Sequence, residues 1–508
     1  MFKILIDVNV FEDVLRKRAG WENSKDVIEL VDKGYLEGWI SSMTKVILYF
    51  WGIRRSGEMG ARKDSFDITI SFNEIPLRSS INSKACSSNL PEFEDNIQIQ
   101  SALEFSLDAI ITRNKKHFQQ DEIPVYIPEE FLEKYQAGEF ATKDVPYVVI
   151  NKQTRSIYNE VEKPISDVLL HGMYVLGNEV REFERMFADY CQVKYAIGLN
   201  SGTDALILAM KALDIGNNDE VITVPNSFLA TASSIVLTGA KPVFVDVCHD
   251  YNMDPELIEP AITERTKAIL PVHLTGRPAD ITPIMEIAKK HNLYVIEDCA
   301  QAIGAKYKDK RVGGFGDIGC FSLHPLKNLN ALGDGGVITT DREDIYEYLL
   351  KARNHGLRNR DECDFWSYNS RLDTIQAAVL KVKMKYIDEW TEKRRLNAAH
   401  YINNLKDIVK VPVEKEYERS VYHTFVIQAE RRDELKGFLA SKGIDTKIHY
   451  PIPIHLQAAA HSLAYKEGDF PVAEQQAYRI LSLPMYPELM QEHLEYVVSV
   501  IREFYYAG

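Results

Sequence analysis

The chain has 508 residues, of which 45% are hydrophobic and 26% are charged, a composition typical of a folded globular protein. Its 74 acidic and 60 basic residues give a formal net charge of -14, which argues against a broad nucleic-acid-binding surface. No run approaches about 18 apolar residues and the first residues lack signal-peptide features, so we expect a cytoplasmic protein without a membrane partner. The six cysteines are far apart, which argues against a zinc site and a disulfide framework.

Short apolar strands and amphipathic helices alternate within residues 1–135. The pattern predicts strands at 3–7, 38–42 and 108–114 and helices at 8–18, 24–33, 43–55 and 95–107, whereas 56–91 is predicted to form loops. Such an alternation indicates a small parallel α/β domain, in which functional residues lie at the carboxyl ends of the strands. Asp7 lies at one of these ends.

Three segments of this region follow a recurrent pattern. They are residues 5–9, 93–98 and 110–118. Together they resemble a PIN domain, the small nuclease fold of many toxin ribonucleases. The resemblance implies a Mg²⁺ or Mn²⁺ site to which Asp7 and Asp95 would contribute. However, residues 44–51 contain no carboxylate and Asn114 replaces an expected acid, so we interpret the domain as a PIN-like docking module, with a ribonuclease as the alternative.

A second α/β region follows a polar segment, residues 136–144, which is predicted to be a linker. Strands and helices alternate again after it and indicate a large doubly wound sheet domain at 145–385. A long helix predicted at 371–395 leads into a small C-terminal domain at 386–508, and a shorter helix is predicted at 254–263.

Several residues of the large domain are typical of a ligand site. Lys327 lies between an apolar, strand-like run and a glycine-rich turn, and a partly desolvated lysine amine can form a Schiff base near neutral pH. Ser201, Gly202 and Thr203 lie where a strand enters a helix, which suits either a phosphate site or a simple helix cap. Phe228 lies at another strand-to-helix turn, where it would stack on a planar ring or belong to the core.

Asp298 completes this set because it ends a predicted strand of the same sheet. Pyridoxal 5'-phosphate requires an amine for its aldehyde, a phosphate site, an acid paired with its ring nitrogen and a contact on its ring face. The residues named above supply all four types. The sequence therefore predicts a pyridoxal-phosphate site at one edge of the sheet.

Short motifs recur in a fixed order over residues 145–508. They are residues 176–177, 200–206, 225–228, 297–301, 321–329, 333–336, 368–372 and 449–451. Together they resemble the DegT/StrS family of pyridoxal-phosphate-dependent nucleotide-sugar aminotransferases. The resemblance implies the fold type I architecture, with a large doubly wound sheet domain and a small C-terminal α/β domain, here preceded by the PIN-like domain.

The resemblance also implies roles for individual residues. Lys327 would hold the cofactor and carry the proton, and Asp298 would pair with the ring nitrogen. The other predicted cofactor-binding residues are Ser201, Gly202, Thr203, Phe228, Gln301, Ser322 and Asn369. The predicted substrate-binding residues are His324, His449 and Tyr450. Asn369 would reach the phosphate bound by a neighbouring subunit, which implies a homodimer with shared active sites.

Lys327 also indicates the reaction class within this resemblance. Family members that dehydrate sugars have a histidine in its place, so the lysine favours amino transfer. The resemblance implies L-glutamate as donor and a nucleotide-linked keto sugar as acceptor, in the biosynthesis of cell-surface glycans or related sugars. The alternatives are a metal-dependent ribonuclease with the large domain as scaffold, a pyridoxal-phosphate-dependent sugar dehydratase, and a non-catalytic cofactor-binding regulator.

Overall fold

The computed structural model describes residues 2–87, 92–118, 120, 122–137, 139 and 144–506. Within these residues the chain forms two compact units. The first contains the residues up to Asp144 together with Asn151–Ser156, and the second contains Val145–Ile150 and the residues from Ile157 onward. Parts of the predicted linker (138 and 140–143), of the predicted loops (88–91) and of the predicted C-terminal domain (507–508) lie outside the described residues.

The first unit is built around a parallel sheet. Its described strands are β1 (Lys3–Ile6), β2 (Glu37–Ser41), β3 (Asn73–Ile75), β4 (Ala109–Ile111) and β5 (Val125–Tyr126). They pair in parallel in the order β3-β2-β1-β4-β5, which confirms the predicted parallel α/β architecture. Because β1 lies in the middle of this order, Asp7 at its carboxyl end lies at the centre of one sheet edge.

The helices predicted in the first unit are present, and one of them, α3, extends much further than the sequence pattern predicts. They are α1 (Val8–Arg16), α2 (Trp21–Asp32), α3 (Ser42–Asp67), α4 (Ser79–Ser87), α5 (Phe93–Glu104) and α6 (Pro128–Gln136), with a short 3₁₀ helix at Lys115–His117. The prediction of loops over 56–91 is wrong, because α3 continues past Gly57 and β3 and α4 follow it. Gly57 has non-helical dihedrals (φ 70°, ψ 178°), and the buried face of α3 includes Thr44 and Ser65, which give no apolar period.

The second unit contains a large and mostly parallel sheet. Its strands, within residues 144–506, are β6 (Tyr195–Leu199), β7 (Glu220–Thr223), β8 (Lys241–Phe244), β9 (Thr266–Ile269), β10 (Tyr294–Asp298), β11 (Lys306–Tyr307), β12 (Lys310–Arg311), β13 (Ile318–Ser322), β14 (Gly336–Thr340), β15 (Glu418–Arg419), β16 (Phe425–Gln428) and β17 (Ile480–Leu483). The large sheet has the order β6-β14-β13-β10-β9-β7-β8, in which β14 is antiparallel to both neighbours. Smaller antiparallel sheets join β12-β11-β15 and β16-β17.

Helices connect these strands. The helix α7 (Ile150–Ser156) comes before them, and its residues from Asn151 onward belong to the first unit. The helices of the second unit are α8 (Tyr158–His171), α9 (Asn178–Cys191), α10 (Gly202–Ala212), α11 (Leu229–Thr238), α12 (Ile281–His291), α13 (Glu343–Ala352), α14 (Thr374–Lys383), α15 (Ile387–Leu405), α16 (Arg432–Ser441), α17 (Pro471–Arg479) and α18 (Gln491–Tyr506), with short 3₁₀ helices at Pro255–Leu257, Glu259–Ala261, Leu274–Gly276, Ile454–Leu456 and Ala458–Leu463. Over the part of the chain that the structure describes, none of the helices is long and apolar enough to cross a membrane.

Two of the predicted helices differ from those in the structure. The helix predicted at 371–395 is divided into α14 and α15. Met384 and Tyr386, at the break, keep near-helical dihedrals, so the break is short and the apolar pattern does not reveal it. The helix predicted at 254–263 is a pair of 3₁₀ turns, since Pro260, inside the predicted helix, lacks the N–H group that a continuous α-helix needs there.

The large sheet is buried on both faces, as expected for mostly parallel strands. One apolar cluster contains Leu208 and Ile269, and another contains Phe187 and Phe321, whose ring centroids are 5.1 Å apart. The sheet is therefore a rigid platform, and its polar residues emerge only at the strand ends.

Candidate active site

A cavity of about 420 Å³ lies where β10 and β13 end. The predicted site residues that line it are Ser201, Gly202, Thr203, Phe228, Asp298, Gln301, Ser322, His324, Lys327, His449 and Tyr450. Asn369 is not among the lining residues; it is exposed and forms a backbone bridge with Asn354. The fold thus brings the predicted residues together from distant parts of the chain, with the exception of Asn369.

Lys327 lies on the turn between β13 and β14. Its backbone N–H donates to the carbonyl of His324 at 2.8 Å, so it belongs to a hydrogen-bonded turn. Burial lowers the pKa of the Lys327 amine to about 8, although the charge of Asp298 acts in the opposite direction. About one tenth of the amine is therefore neutral at pH 7, compared with less than about one thousandth for an ordinary lysine. This amine is ready to act as a nucleophile or a base.

Asp298 faces the same cavity and is held by two hydrogen bonds. The Thr231 hydroxyl donates to its Oδ2 at 2.8 Å, and the backbone N–H of Ala300 donates to its Oδ1 at 3.1 Å. Burial raises the pKa of Asp298, whereas these two bonds and the charge of Lys327 favour the ionised form. Thr231 is in turn 2.8 Å from the hydroxyl of Ser227, so the orientation of the carboxylate is fixed from behind.

The turn before α10 has the features of an anion site. Ser201 is the N-cap residue, and its hydroxyl accepts a hydrogen bond from the backbone N–H of Asp204 at 3.1 Å. A Cβ atom on Gly202 would lie 2.7 Å from the Cβ of Ser322, so only glycine lets the helix approach the end of β13 this closely. The free N–H groups of the first helical turn attract an anion, and the hydroxyls of Thr203 and Ser322 lie beside them.

Phe228 forms part of the cavity wall. Its ring is 53% exposed, which excludes the interpretation as a core residue. The ring centroid lies 5.8 Å from that of Tyr450. The Tyr450 hydroxyl accepts a hydrogen bond from Nε2 of Gln301 at 3.2 Å, while Oε1 of Gln301 accepts one from the backbone of Thr275 at 2.7 Å. Gln301 is thereby fixed in one orientation.

Two histidines near the cavity are kept neutral. Burial and the positive charge of Lys327 lower the pKa of His449 to about 4 and hold the pKa of His423 well below its ordinary value. His423 also contacts Asn328, with 3.2 Å between Nδ1 and Oδ1. Sequence reasoning missed His423, because a single histidine in a strand-like segment carries no recognisable spacing.

Arg394 is a further residue that the sequence interpretation missed. It is buried, and its Nη1 donates to the carbonyls of Tyr422, His423 and Met485 at 3.3, 3.4 and 2.8 Å. Burial lowers the pKa of Arg394 to about 10, and its Nε has no hydrogen-bond partner within the described parts of the chain. Its i+4 spacing from Trp390, which is buried, was the signal that could have placed it on the inner face of α15.

A buried group of His273, Glu297 and Cys299 lies behind the cavity, with ligand-type atoms within 4.8 Å of one another. Glu297 accepts backbone hydrogen bonds from three residues, Gly313, Phe315 and Gly316, and contacts Nε2 of His273 at 3.1 Å. Nδ1 of His273 accepts the N–H of Ala279 at 2.9 Å. The ring nitrogens of His273 and the carboxylate of Glu297 are thus occupied by protein partners, which indicates a structural network.

The cavity residues fit pyridoxal phosphate. A buried acid, an amine with a lowered pKa, an exposed aromatic ring and a helix N-terminus converge on one space. Ser201, Gly202 and Thr203 at that helix N-terminus line the space, and no further group type is needed to hold an aldehyde, a pyridine ring and a phosphate.

The acids of the first unit are arranged differently. Asp7 is buried, and its carboxylate accepts hydrogen bonds from Gln98 (2.8 Å), Thr112 (2.6 Å) and Asn9 (3.1 Å). Its oxygens therefore already have protein donors. Such a carboxylate has little capacity left for a metal ion.

Asp95 and Glu94, an acid that sequence reasoning did not select, lie near Asp7. Burial and the charge of Asp7 raise the pKa of both, and Asp95 contacts Nδ1 of His117 at 3.1 Å. Among the described residues of this unit, no three metal-ligating atoms lie within 4.8 Å of one another. The geometry of Asp7 and Asp95 therefore does not support the metal site that the PIN resemblance implies.

Comparison with known families agrees with this division. Residues 155–502 match the model of the DegT/DnrJ/EryC1/StrS aminotransferase family, and residues 3–116 match a PIN domain model. The chain belongs to the DegT/DnrJ/EryC1/StrS aminotransferase family. Membership of this family confirms the predicted fold class and identifies the chain as an aminotransferase that uses pyridoxal phosphate.

Two curated relatives cover the family region. A "pleiotropic regulatory protein" of Geobacillus stearothermophilus is 45% identical over 367 residues, which are 71% of this chain and 99% of the relative. A UDP-N-acetyl-3-dehydro-alpha-D-glucosamine 3-aminotransferase of Acidithiobacillus ferrooxidans is 44% identical over 361 residues, 70% of this chain and 97% of the relative.

A solved structure of the family has the same fold. The crystal structure of S. venezuelae DesV in complex with a ketimine intermediate matches with a TM-score of 0.70 and 41% sequence identity. The match covers 72% of this chain and 99% of that chain. The match therefore spans nearly the whole length of that solved chain.

Proposed function

We propose that this DegT-family aminotransferase moves an amino group from L-glutamate to the keto group of a sugar linked to a nucleoside diphosphate. The observation that carries the proposal is the shared cavity of Lys327, Asp298 and the Ser201–Thr203 turn. The name of the Acidithiobacillus relative supports a nucleotide-linked keto sugar as acceptor. A sugar carried by a nucleoside diphosphate is activated for glycosyl transfer, which favours a role in assembling cell-surface glycans or related sugars.

Lys327 would act as the base and acid of the reaction. When bound, pyridoxal phosphate supplies an aldehyde that takes up the amino group and a ring that accepts the electrons of a broken C–H bond. Nζ of Lys327, with its pKa near 8, is able to accept a proton from a substrate carbon as an amine and return one as an ammonium. A residue with an ordinary lysine pKa would be almost fully protonated at pH 7.

The remaining cavity residues would bind and orient. Asp298, oriented by the hydrogen bonds from Thr231 and Ala300, would face the ring nitrogen. The turn Ser201, Gly202 and Thr203 would hold the phosphate together with Ser322, and Phe228 would cover one ring face. Gln301 would lie near the ring oxygen, since Tyr450 and Thr275 fix its side chain.

Arg394 supports a donor that carries a carboxylate. Its guanidinium lines the cavity, its hydrogen bonds to described residues go to backbone carbonyls, and the charge of Glu488 acts on it from nearby. A buried guanidinium whose Nε has no hydrogen-bond partner among the described residues favours binding of an anion. The carboxylate of L-glutamate is the ligand that the proposal assigns to this charge.

Exposed apolar side chains support a homodimer. Leu170 on α8 is 83% exposed, Met173 beyond it is 58% exposed, and Trp366 is 97% exposed. Contiguous apolar patches on a surface mark interaction sites, and the proposal assigns these side chains to such a patch. Asn369, close to Trp366 and outside its own cavity, would then reach the cavity of the second subunit. Light scattering should give twice the mass of one chain; a monomer would contradict the proposed sharing of sites.

The proposed function is tested by absorption spectroscopy of the purified protein with pyridoxal phosphate, before and after addition of L-glutamate. The wild type should show a visible band that L-glutamate removes and that a UDP-linked 3-keto sugar restores. Lys327→Ala should fold normally and show no such cycle, whereas Lys385→Ala, a change at an exposed lysine, should behave as the wild type.

Two outcomes would overturn the proposal. An unchanged wild-type spectrum in L-glutamate would exclude that donor. Release of ammonia from an amino sugar, without transfer to an acceptor, would instead identify a dehydratase.

A further inference from the structure

Lys383, at the end of α14, is fully buried although the mechanism above gives it no task. Its exposed fraction is 0%, and its neighbours along the helix, Leu380 and Met384, belong to the apolar cluster that also contains Leu329 and Ala331. Burial lowers the pKa of Lys383 to about 8. An ammonium in such surroundings is unfavourable unless specific polar atoms receive it.

Both hydrogen bonds of Lys383 go to one residue, Asn330. Nζ donates to the backbone carbonyl of Asn330 at 3.0 Å and also to its side-chain Oδ1. Among the described residues, no carboxylate forms an ion pair with this lysine. The described hydrogen bonds of the ammonium thus go to the segment that follows Lys327 in the sequence.

Asn330 also contacts the backbone of Lys327. Its Nδ2 donates to the backbone carbonyl of Lys327 at 3.0 Å. Because the ammonium of Lys383 can only donate, Oδ1 of Asn330 must face it, and the amide nitrogen must then point to Lys327. The charge of Lys383 therefore selects the one orientation of Asn330 that holds the Lys327 backbone.

The opposite side of the same turn is also fixed by side chains. Asn328 donates to the carbonyl of Val421 at 3.2 Å and contacts His423. Between β13 and β14 the turn has no regular hydrogen-bond ladder, so contacts of this kind decide where its backbone lies. Without Asn330, the carbonyl of Lys327 would lose the partner that anchors it toward the core.

We propose that Lys383 is a positioning residue for the active-site amine, which it places by orienting Asn330 against the carbonyl of Lys327. The inference rests on the proposed function of Lys327 but concerns a different part of the molecule. It predicts that the buried charge at Lys383 and the amide of Asn330 act as one unit.

The test compares Lys383→Met, which removes the charge and keeps the apolar stem, with Asn330→Asp. The aspartate retains an acceptor for Lys383 and gains an ion pair, but it cannot donate to the carbonyl of Lys327. Lys385→Met, two residues away and exposed, is the matched control. All are made in the full chain, and the melting temperature is measured for each.

The decisive readout is the reactivity of Lys327 as a function of pH. The full chain, freed of cofactor, is acylated at a series of pH values, and the modified Lys327 peptide is measured by mass spectrometry. Asp298, His423 and His449 are the titratable groups that face this amine, and all are retained in every variant. The holoenzyme gives kcat and KM in parallel.

We expect both Lys383→Met and Asn330→Asp to raise the pH midpoint of Lys327 acylation by about one unit or more, because a displaced amine is better hydrated. We expect kcat to fall about 10- to 100-fold, with KM for the sugar nearly unchanged. Asn330→Asp should do so without a lower melting temperature. Lys385→Met should match the wild type.

Two results would overturn the inference. If Asn330→Asp folds and keeps the wild-type acylation midpoint and kcat, Lys383 only stabilises the fold, and this holds even if Lys383→Met does not fold. If only Lys383→Met changes the midpoint, the relay through Asn330 is wrong. A wild type that is inactive with L-glutamate would contradict the proposed donor instead, while the acylation midpoints would still decide the role of Lys383.

Discussion

Asp7 and Asp298 have the same position in the two units, yet they have different surroundings. Each follows or ends a central strand of a sheet, each is buried, and each accepts a hydrogen bond from a threonine hydroxyl, Thr112 at 2.6 Å and Thr231 at 2.8 Å. Asp298 also faces a cavity that it shares with Lys327. Topology places a carboxylate at a sheet edge, and its neighbours decide whether it can serve a ligand.

The neighbours of Asp7 satisfy the hydrogen-bonding capacity of its carboxylate. Gln98 and Asn9 donate to the carboxylate in addition to Thr112, so the charge is satisfied by the protein itself. Asp298 has fewer donors and a cation across the cavity. The first arrangement stabilises a fold and the second one leaves a charge for a ligand.

Replacing the aspartate by asparagine should slow catalysis at Asp298 and lower stability at Asp7. Asp298→Asn removes the negative charge from the cavity but keeps an oxygen for Thr231 and Ala300. We expect the rate of amino transfer from L-glutamate to fall roughly 10²- to 10³-fold, with a nearly unchanged melting temperature. Stopped-flow absorption measures the rate; a change below about twofold would separate Asp298 from catalysis.

Asp7→Asn should affect stability only. Its amide group would place N–H donors against the donors of Gln98, Thr112 and Asn9, so we expect the free energy of unfolding of the first unit to fall by about 1–3 kcal/mol. Hydrogen exchange at the amides of β1 in the full chain measures this change. The rate of amino transfer should equal that of the wild type, and a lower rate would refute the division between the two acids.

The lysine opposite Asp298 gives a prediction of intermediate size. Because the pKa of Lys327 is about 8, its neutral fraction rises about fivefold between pH 7 and pH 8 and then levels off. The rate at which pyridoxal phosphate attaches to the cofactor-free chain should follow this curve. A steady tenfold increase per pH unit up to pH 10 would show an unperturbed lysine.

The two threonines offer a finer comparison. Thr231→Val should slow amino transfer a few-fold by loosening Asp298, and Thr231→Ser should restore the rate. Thr112→Val should leave the rate unchanged and lower the free energy of unfolding of the first unit by about 1 kcal/mol. Equal effects of the two valine variants on rate or on stability would contradict the assignment.

Metal addition should have the smallest effect. Since the Asp7 oxygens already have protein donors, Mg²⁺ or EDTA should shift the melting temperature of the full chain by less than about 1 °C. Cleavage of RNA should not depend on Mg²⁺. A clear stabilisation that Asp7→Asn abolishes would establish a metal site and reverse the interpretation of this unit.

Much of this comparison follows from sequence, because strand ends and glycine turns are local patterns. The positions of Lys327 and Asp298 at the cavity follow from apolar runs that end in a polar residue. The sequence does not reveal which side chains form hydrogen bonds with these two residues. Thr231 is one hydroxyl among several in its segment, and only the fold shows that it faces Asp298.

The burial of two charged residues is the other feature that could not be predicted from the sequence. Arg394 and Lys383 lie in stretches rich in Lys and Arg, which are typical of solvated helix faces, yet both are buried. Their burial depends on the packing of α14 and α15, which the single predicted helix at 371–395 does not separate. The prediction of loops over 56–91 is wrong for a related reason, since a helix face of small residues has no apolar period.

The antiparallel strand β14 fixes the spacing between the two strands that lead into the active site. It pairs with both β6 and β13, so these two strands, which lead into the turn at Ser201 and the turn that carries Lys327, lie two strand spacings apart, roughly 10 Å. Backbone hydrogen bonds set this interval, and side chains do not alter it. The walls of the cavity are therefore free to diverge for different sugars while the distance between the anion site and the reactive amine stays constant.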